Sequence, residues 1–332
     1  PDGSGLAIRK RAPIVSILDE LGWPDRSTLP VGRYSVWGRN MVDRFFKRNS
    51  AVAAVAPTRG CPFQCTYCPG HIITTRRYRK RRVEDVVAEM KYLRDEFGIE
   101  VMVFQEEVAN ADPGWSISLY KEIIKAKLGV RWVHGGGFYV QLISEELVAT
   151  ALESGLLMFN LAIESGSRRI LKLVKKTERI VDAAPQVMEM IRRRDPHIYV
   201  MGFFMAGFPF ETLEDVRQTL QFARDLDMDW ALFNVFQAFP GCELYDYCVQ
   251  HGHIHPDAYA YEHRIHYLAT SLENSLVPKD ELNKMIYEAN LSINFARSRS
   301  LRVGHYEQAV RDYEHVVSIA PDHALAHVCL AR

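Results

Sequence analysis

Cys61-Pro-Phe-Gln-Cys65-Thr-Tyr-Cys68 is the stretch around which the chain is organised, because it places three thiols within eight residues. Disulfide frameworks pair their cysteines, so an odd set this close in sequence indicates metal ligation. Thiolates select zinc, copper(I) or iron–sulfur clusters. A zinc site needs a fourth protein ligand, and His71 lies three residues beyond Cys68. An iron–sulfur cubane held by three cysteines instead leaves one iron open to another ligand.

The residues around these cysteines resemble the cluster loop of radical S-adenosylmethionine (radical SAM) enzymes. The likeness lies in the cysteine spacing, in Tyr67 and in the preceding Pro57-Thr-Arg-Gly60. It implies a [4Fe-4S] cluster on Cys61, Cys65 and Cys68, with S-adenosylmethionine bound at the open iron through its amino and carboxylate groups. It also implies that Tyr67 lies against the adenine of that cofactor.

Length and composition set the bounds of the chain. Its 332 residues, 48% of them hydrophobic, are enough for one large domain with an appendage or for two domains. The 41 lysines and arginines balance the 41 aspartates and glutamates, so no global field attracts nucleic acid or an acidic membrane. No apolar run has the length of a membrane span, and no signal peptide is visible. Because a thiolate cluster needs a reducing compartment, we expect a cytoplasmic protein.

Short apolar runs alternate with amphipathic stretches over much of the chain, which is typical of βα units on a parallel sheet. The predicted strands are 51–56, 101–105, 130–134, 158–163, 198–205 and 231–236. Ser144 begins a predicted helix that ends at Gly155, and Thr212 with Asp215 forms a capping pair. Six such units resemble the partial (β/α)6 barrel of radical SAM enzymes. The predicted fold class is therefore α/β, a partial (β/α)6 radical SAM barrel with an α-helical C-terminal extension, and the catalytic groups are expected at the carboxyl ends of the strands.

The sequence predicts three regions. Residues 1–45, rich in proline and glycine, are interpreted as a linker from an upstream domain. Residues 46–255 form the barrel, and residues 256–332 form the helical extension. Within the extension, residues from about 288 to 332 resemble a tetratricopeptide repeat, which suggests a protein partner. Because one repeat cannot bury its own apolar face, it docks on the barrel or is followed by further repeats.

Acidic residues follow the second predicted strand directly. The resemblance implies that Glu106 or Glu107 hydrogen-bonds the methionine amine of the cofactor, with Glu107 slightly preferred. A solvated loop is the alternative. After the third strand, the run 135–137 consists of three glycines and predicts a flexible rim at the substrate opening.

The fourth predicted strand ends in Glu164 and Ser165, in the run Leu161-Ala-Ile-Glu-Ser-Gly-Ser167. This run is similar to the "iEsGs" signature of the family, which implies that Glu164 and Ser165 contact the cofactor. A carboxylate emerging from an apolar strand needs a partner. The alternative reading is a structural salt bridge from Glu164 to Arg168 or Arg169.

The last two strands carry further likenesses. Gly207, in the run Met201-Gly-Phe-Phe-Met-Ala-Gly-Phe-Pro-Phe-Glu-Thr212, lets the backbone come close to a planar ligand. Phe239-Pro-Gly-Cys-Glu-Leu-Tyr-Asp246 is similar to the "PGTxLYd" pattern, with cysteine in place of threonine. Together these runs most resemble the cobalamin-linked radical SAM group.

The resemblance implies that the reduced cluster cleaves S-adenosylmethionine to a 5'-deoxyadenosyl radical, which activates a C–H bond. Members of the cobalamin-linked group are often C-methyltransferases, so methylation is the expected outcome. Cobalamin would then be bound by a domain absent from this chain. An electron donor such as flavodoxin or ferredoxin is the implied partner.

Two alternatives remain open from the sequence. The first is a radical SAM methylthiotransferase or another RNA-modifying enzyme, to which the basic run 76–82 would be suited. Such runs are more often solvated faces, and no separate RNA-binding domain is visible, so the sequence argues against a nucleic-acid partner. The second is a zinc-stabilised scaffold, with His71 completing the cysteine site and the C-terminal tail recruiting a partner.

Overall fold

The computed structural model describes residues 13–28, 45, 51–255, 270–273 and 275–331. Most of the predicted linker and the predicted boundary at residue 256 lie outside these residues. No helix in the described part of the chain is both long enough and apolar enough to span a membrane.

The strands lie within one or two residues of the predicted positions, and two short strands are added. Within the described residues the strands are β1 (Val52–Val55), β2 (Thr58–Arg59), β3 (Arg79–Lys80), β4 (Val101–Phe104), β5 (Arg131–His134), β6 (Met158–Glu164), β7 (Tyr199–Ala206) and β8 (Trp230–Val235). The additional strands β2 and β3 pair antiparallel and bracket the cysteine loop. Two residues each are too few for an alternating pattern to show in the sequence.

Six parallel strands form two three-stranded sheets in the orders β1-β4-β5 and β6-β7-β8. Isolated parallel bridges join the two sheets: Trp132 pairs with Leu156, and Phe138 pairs with Leu161. The backbone N–H of Leu157 also donates to the carbonyl of Trp132 at 3.0 Å. The strands therefore follow one another in chain order, and in the described part of the chain β1 and β8 do not pair with each other.

Helices connect successive strands and continue beyond the last one. The helices are α1 (Gly70–Ile73), α2 (Val83–Phe97), α3 (Pro113–Ala126), α4 (Glu145–Glu153), α5 (Arg168–Leu173), α6 (Ile180–Arg194), α7 (Leu213–Asp225), α8 (Glu243–Gln250), α9 (Lys279–Leu291), α10 (Arg299–Arg302), α11 (Tyr306–Ile319) and α12 (Ala324–Leu330). The predicted caps are present. Ser144 Oγ accepts from Leu147 N at 3.2 Å, and Thr212 with Asp215 forms a reciprocal capping box before α7.

The two faces of the strands belong to different cores. One face, which includes Met102, Phe104 and Phe159, packs in the large cluster that contains the apolar sides of the connecting helices. The opposite face includes Val101 and Tyr199, and packs in a second cluster with side chains of the C-terminal extension. The extension contributes Phe295, Tyr313, Val316 and Ala326 to that cluster.

The described C-terminal helices therefore dock on the barrel, near the beginnings of its strands. Tyr199, the first residue of β7, donates its hydroxyl to Asp312 at 3.1 Å. Asn294 lies in a single π-helical turn, 292–296, and uses its amide to accept from Ala231 N at 2.8 Å and to donate to Ala231 O at 2.9 Å. Helices α11 and α12 pack on each other, and their assignment to a tetratricopeptide repeat stays a prediction.

We predict that Asn294→Ala lowers the free energy of unfolding by about 1–3 kcal/mol, because it leaves the buried N–H and C=O of Ala231 without partners. Urea unfolding measures the change. Asn290→Ala, in helix α9, is the matched control, since that half-buried side chain makes no hydrogen bond to the described residues. Equal stabilities of the two variants would contradict the docking of the extension through Asn294.

Candidate active site

The cysteine loop is anchored by backbone hydrogen bonds to three separate segments. Cys61 N donates to Thr75 O at 3.1 Å, close to where the ribbon β2–β3 closes the base of the loop. Thr66 N donates to Val174 O at 3.1 Å, and Leu244 N donates to Thr66 O at the same distance. The loop is thus held by the segments that follow β6 and β8, at the carboxyl ends of the strands.

All three loop cysteines are free thiols and partly buried. Burial first, and then the neighbouring thiolates of Cys65 and Cys68, raise the pKa of Cys61 to about 11. Burial also raises the pKa values of Cys65 and Cys68, whereas the ammonium of Lys176 lowers them. Each thiolate therefore disfavours the others, and a bound cation would relieve that repulsion.

The donor set fits an iron–sulfur cluster. It offers three soft sulfur ligands on one loop, and Gly70 N lies 3.4 Å from Cys68 Sγ as a hydrogen-bond donor to sulfur. Among the described residues, no three His, Cys, Asp or Glu side chains are gathered around the position of a single metal ion. His71, the fourth ligand of the zinc alternative, bonds through Nδ1 to Cys68 O at 2.9 Å.

Two aromatic residues of the loop contact the barrel. The Tyr67 hydroxyl interacts electrostatically with the Cys65 thiol, and the Tyr67 ring centroid lies 5.8 Å from that of Phe208. Burial first, and then the charge of Glu164, raise the pKa of Tyr67 far above its usual value. Phe63 stacks on Tyr139, with ring centroids 3.8 Å apart. The predicted residue Tyr67 is thus brought beside Glu164 and the thiols.

Glu164 sits in an unusual backbone conformation at the end of β6. Its φ is +70°, in the left-handed region that only glycine adopts without strain. The pairing of β6 with β7 shifts register between Ala162 and Glu164, and such bulges re-aim side chains at the edges of sites. The strain and the shift together turn the Glu164 carboxylate toward the cysteine loop.

The partner of Glu164 is Lys176, a residue that sequence reasoning missed. Lys176 Nζ lies 2.9 Å from Glu164 Oε1, and the lysine side chain is only 3% exposed. Burial alone would lower the pKa of Lys176, but the charges of Glu164 and Cys65 outweigh burial and raise it. The ammonium also lies 5.5 Å from the centroid of the Tyr139 ring.

The expected alternative partners of Glu164 are therefore wrong. Arg168 pairs with Asp182, and Arg169 pairs with Asp215. Nothing in the sequence distinguishes Lys176 from its neighbour Lys175, which forms an exposed pair with Glu243 at 2.7 Å.

The two acidic candidates after β4 face different surroundings. Glu107 Oε2 accepts from Gly60 N at 2.9 Å, immediately before the first cysteine, and its charge acts on the Cys61 thiol. The Glu106 carboxylate is buried, accepts from Thr58 Oγ1 at 3.0 Å and contacts Nδ1 of His134. The structure thus places Glu107 at the cysteine loop and Glu106 inside a buried polar network.

His134 is a second residue that the sequence did not single out. Its Nε2 bonds to the Tyr120 hydroxyl at 2.9 Å, and the imidazole is 2% exposed. His134 is the last residue of β5, and Glu106 lies two residues after β4. The contact between them therefore joins the ends of two adjacent strands. The sequence signal that could have identified His134 is its place as a polar residue at the end of a predicted barrel strand.

Two other predicted site residues are engaged within the protein. Ser165 is fully buried, and its hydroxyl bonds to Thr219 Oγ1 at 2.8 Å and accepts from Ser167 N at 3.0 Å. At Gly207, with φ +86°, an added Cβ would lie 2.8 Å from Leu282 in helix α9. That glycine makes room for the C-terminal extension. The contacts predicted from Ser165 and Gly207 to the cofactor stay predictions.

The glycine run 135–137 is not a loose rim. A Cβ on Gly136 would lie 2.5 Å from the carbonyl oxygen of Glu106, and one on Gly137 would lie 2.9 Å from Cβ of Ala162. The run allows the β5 loop to pack directly between the ends of β4 and β6.

The side chains of the basic run 76–82 make intramolecular contacts. Its six charged side chains, and the backbone N–H of Arg82, all contact other groups of the chain. The contacts are Arg76 with Phe63 O, Arg77 with Ser16 Oγ, Arg79 with Val15 O and Thr74 O, Lys80 with Asp112, Arg81 with Asp85 and Glu89, and Arg82 with Asp19.

Residues 55–223 match the profile of the Radical SAM superfamily. The chain belongs to this superfamily. Membership implies a [4Fe-4S] cluster and S-adenosylmethionine, and it decides against the zinc scaffold. The fold class predicted from the sequence is confirmed.

The relatives include methyltransferases and methylthiolating enzymes. An uncharacterised methyltransferase of Pyrococcus horikoshii is 28% identical over 240 residues, covering 71% of this chain and 48% of the relative. The cytidylyl-2-hydroxyethylphosphonate methyltransferase of Streptomyces wedmorensis is 26% identical over 267 residues, covering 76% and 48%. tRNA-2-methylthio-N(6)-dimethylallyladenosine synthases are also relatives. The chain thus spans about half the length of the first two relatives, 48% of each.

Solved structures share the fold, and one of them serves as an example. The radical S-adenosylmethionine methyltransferase TsrM of Kitasatospora setae, with cobalamin and a [4Fe-4S] cluster bound, matches with a TM-score of 0.55 and 20% identity, over 61% of this chain and 40% of TsrM. At this identity the likeness concerns the fold alone.

Glu211 provides a test of the turn after β7. Burial raises its pKa from 4.5 to about 8, although its Oε2 accepts from the backbone N–H groups of Gly207 and Phe208. The folded protein therefore holds a proton that the unfolded chain releases, so we predict that stability falls as pH rises from about 4.5 to about 8. Glu211→Gln should flatten this dependence, measured by urea unfolding across that range.

Glu214→Gln is the control for that measurement, because the Glu214 side chain is 67% exposed. It should retain the wild-type slope. A Glu211→Gln slope equal to that of the wild type would show that Glu211 is ionised throughout the range.

Proposed function

We propose that the chain is the catalytic barrel of a cobalamin-dependent radical SAM C-methyltransferase. The observation that carries the proposal is the convergence of the cysteine loop, Tyr67 and the buried Glu164–Lys176 pair at one mouth of the barrel. The similarity to two methyltransferases supports methylation as the outcome. Cobalamin would be bound outside these 332 residues, and the protein would work in the cytoplasm.

In this proposal the cysteines hold the cluster and the charged groups bind the ends of the cofactor. Cys61, Cys65 and Cys68 are the cluster ligands. Glu107 and Glu164 provide acceptors for an ammonium group, and Lys176 attracts a carboxylate, which together match the zwitterionic methionine part of S-adenosylmethionine. Tyr67 offers its ring to the adenine.

The cluster and S-adenosylmethionine, when bound, supply the one-electron chemistry that activates C–H bonds in this superfamily. The chain supplies orientation and limits the access of water. The Phe63–Tyr139 stack closes one side of the mouth, and the Glu106–His134 pair fixes the ends of β4 and β5 beneath it. Tyr139 is itself fixed by Asn110, which accepts from Tyr139 N at 2.7 Å and donates to Tyr139 O at 3.1 Å.

A methylthiotransferase is the second candidate, favoured by the tRNA-modifying synthases among the relatives. That chemistry needs a second cluster. Outside the loop, Cys242 and Cys248 are buried and Cys329 is partly buried. Iron analysis of the reconstituted full-length protein distinguishes the two candidates, since one cluster supports methyl transfer and two support methylthiolation.

Anaerobic reconstitution with iron and sulfide, followed by electron paramagnetic resonance of the reduced protein, tests the cluster. We expect a four-iron signal that shifts when S-adenosylmethionine is added. His71→Ala should keep the signal, because that imidazole bonds to a backbone carbonyl of the loop. Cys65→Ala should lose most of the bound iron. If His71→Ala lost its iron while Cys65→Ala kept it, the result would show that the histidine is a metal ligand.

Glu164→Gln should weaken S-adenosylmethionine binding by about tenfold or more, since it removes a charge-assisted acceptor. Iron content should stay unchanged, because Glu164 is not a ligand in this proposal. Affinity is read from the cofactor-induced shift of the resonance signal. Glu178→Gln, at an exposed position two residues before helix α6, is the matched control. Equal affinities in the two variants would remove Glu164 from the cofactor site.

A further inference from the structure

A group of large apolar side chains is exposed beside the cysteine loop. Its members, which we call the loop-side patch, are Ile14 (41% exposed), Val15 (37%), Ile17 (55%), Ile72 (41%) and Ile73 (77%). Ile72 and Ile73 belong to the one-turn helix α1, which begins two residues after Cys68. Exposed apolar groups that cluster beside a functional loop are typical of interaction sites, whereas isolated ones are common and carry no meaning.

Arginine side chains join the two parts of the patch into one surface. Arg79 donates to Val15 O at 2.7 Å and to Thr74 O at 2.9 Å, so the N-terminal segment is fixed beside the residue that follows Ile73. Arg77 donates to Ser16 Oγ at 3.0 Å. The two parts of the patch are therefore adjacent, although they lie more than fifty residues apart in the sequence.

The rim of the patch is positively charged and reaches the cysteine loop. Arg76 and Arg77 are exposed. The Arg76 guanidinium donates to the carbonyl of Phe63, two residues after Cys61. Two exposed carboxylates lie in the adjoining helix α8: Glu243 is paired with Lys175, and Asp246 acts on the Cys242 thiol together with Arg76. A partner that covers this apolar surface would therefore meet arginines at its edge, which favours an acidic partner.

We propose that the loop-side patch is the docking surface for a small acidic electron-transfer protein. The inference rests on the proposed function, because it requires a cluster on Cys61, Cys65 and Cys68. The donor's flavin or iron–sulfur centre loses one electron and the oxidised cluster gains it, so no other reactant is needed. Docking at this patch places the donor against the outer side of the loop, away from Glu164 and Lys176.

The test compares a protein donor with a small reductant on the reconstituted protein. The probes are reduced flavodoxin and dithionite, and the readout is the rate at which the cluster absorbance bleaches. For Ile73→Glu and Arg77→Glu we expect flavodoxin-driven reduction to slow by about tenfold or more, because each places a negative charge against an acidic partner. Dithionite-driven reduction should be unchanged, since it needs no docking surface.

Ile319→Glu and Arg217→Glu are matched controls on other surfaces, at side chains that are 66% and 59% exposed. They should match the wild type with both reductants. Equal flavodoxin rates in the patch variants and the controls would overturn the proposal and leave the patch to another occupant, such as an upstream domain. A wild-type protein that takes up no cluster would reject the proposed function itself.

Salt provides a second test if the glutamate variants lose their cluster. The wild-type rate with flavodoxin should fall as ionic strength rises, because salt screens the arginines of the rim. Arg77→Gln removes one charge without reversing it, and its rate should fall less steeply. Parallel salt dependences of the wild type and Arg77→Gln would overturn the proposal.

Discussion

The outer edges of β1 and β8, which pair with no strand in the described part of the chain, are the constraint on which the rest of the molecule depends. Strand edges present backbone N–H and C=O groups that need partners. At β1, Arg26 donates to Ala54 O at 2.8 Å and is itself fixed by Glu89 at 2.9 Å. At β8, the amide of Asn294 satisfies both backbone groups of Ala231. Segments from before and after the barrel thus complete it, and the extension that covers β8 also fills the region where the strands begin. The carboxyl ends of the strands are left for the cysteine loop.

That remaining mouth concentrates negative charge. The three thiols, Glu107 and Glu164 lie close enough for their charges to interact, and Lys176 is the buried cation among them. Burying the charge of a lysine costs free energy unless the lysine is paired. Glu164 also carries a cost, because its φ of +70° at the end of an apolar strand strains the backbone. Each is therefore retained only because the other compensates it. The pair also approaches the ring of Tyr139, which links the ion pair to Phe63 and so to the cysteine loop.

Local features of the fold could be predicted from the sequence, and long-range contacts could not. The six main strands were found because parallel strands are apolar over their whole length. Ser144 and the capping box at Thr212 were found because a cap is a property of four consecutive residues. In contrast, the position at which helix α5 ends determines that Lys176, and not Lys175, pairs with Glu164. Gly207 is required by Leu282, a residue of the C-terminal extension that lies 75 positions away. The tight packing of the glycine run 135–137 likewise depends on backbone from β4 and β6, so its composition alone suggested flexibility.

The same distinction explains why the cysteines could be identified while their electrostatics could not. Ligand spacing is encoded within eight residues, but the pKa of each thiol depends on groups that arrive from other strands. Burial holds all three thiols toward their protonated forms, and repulsion from neighbouring thiolates adds to this at Cys61 and Cys65. Metal binding must therefore release protons, and the free energy of binding becomes linked to the ordering of the loop. Because Thr66 is hydrogen-bonded to Val174 and Leu244, that linkage extends to the segments after β6 and β8. A cation on the three sulfurs would stabilise the loop and also the strand ends that carry Glu164 and Lys176, so cluster assembly and formation of the cofactor site would be one cooperative event.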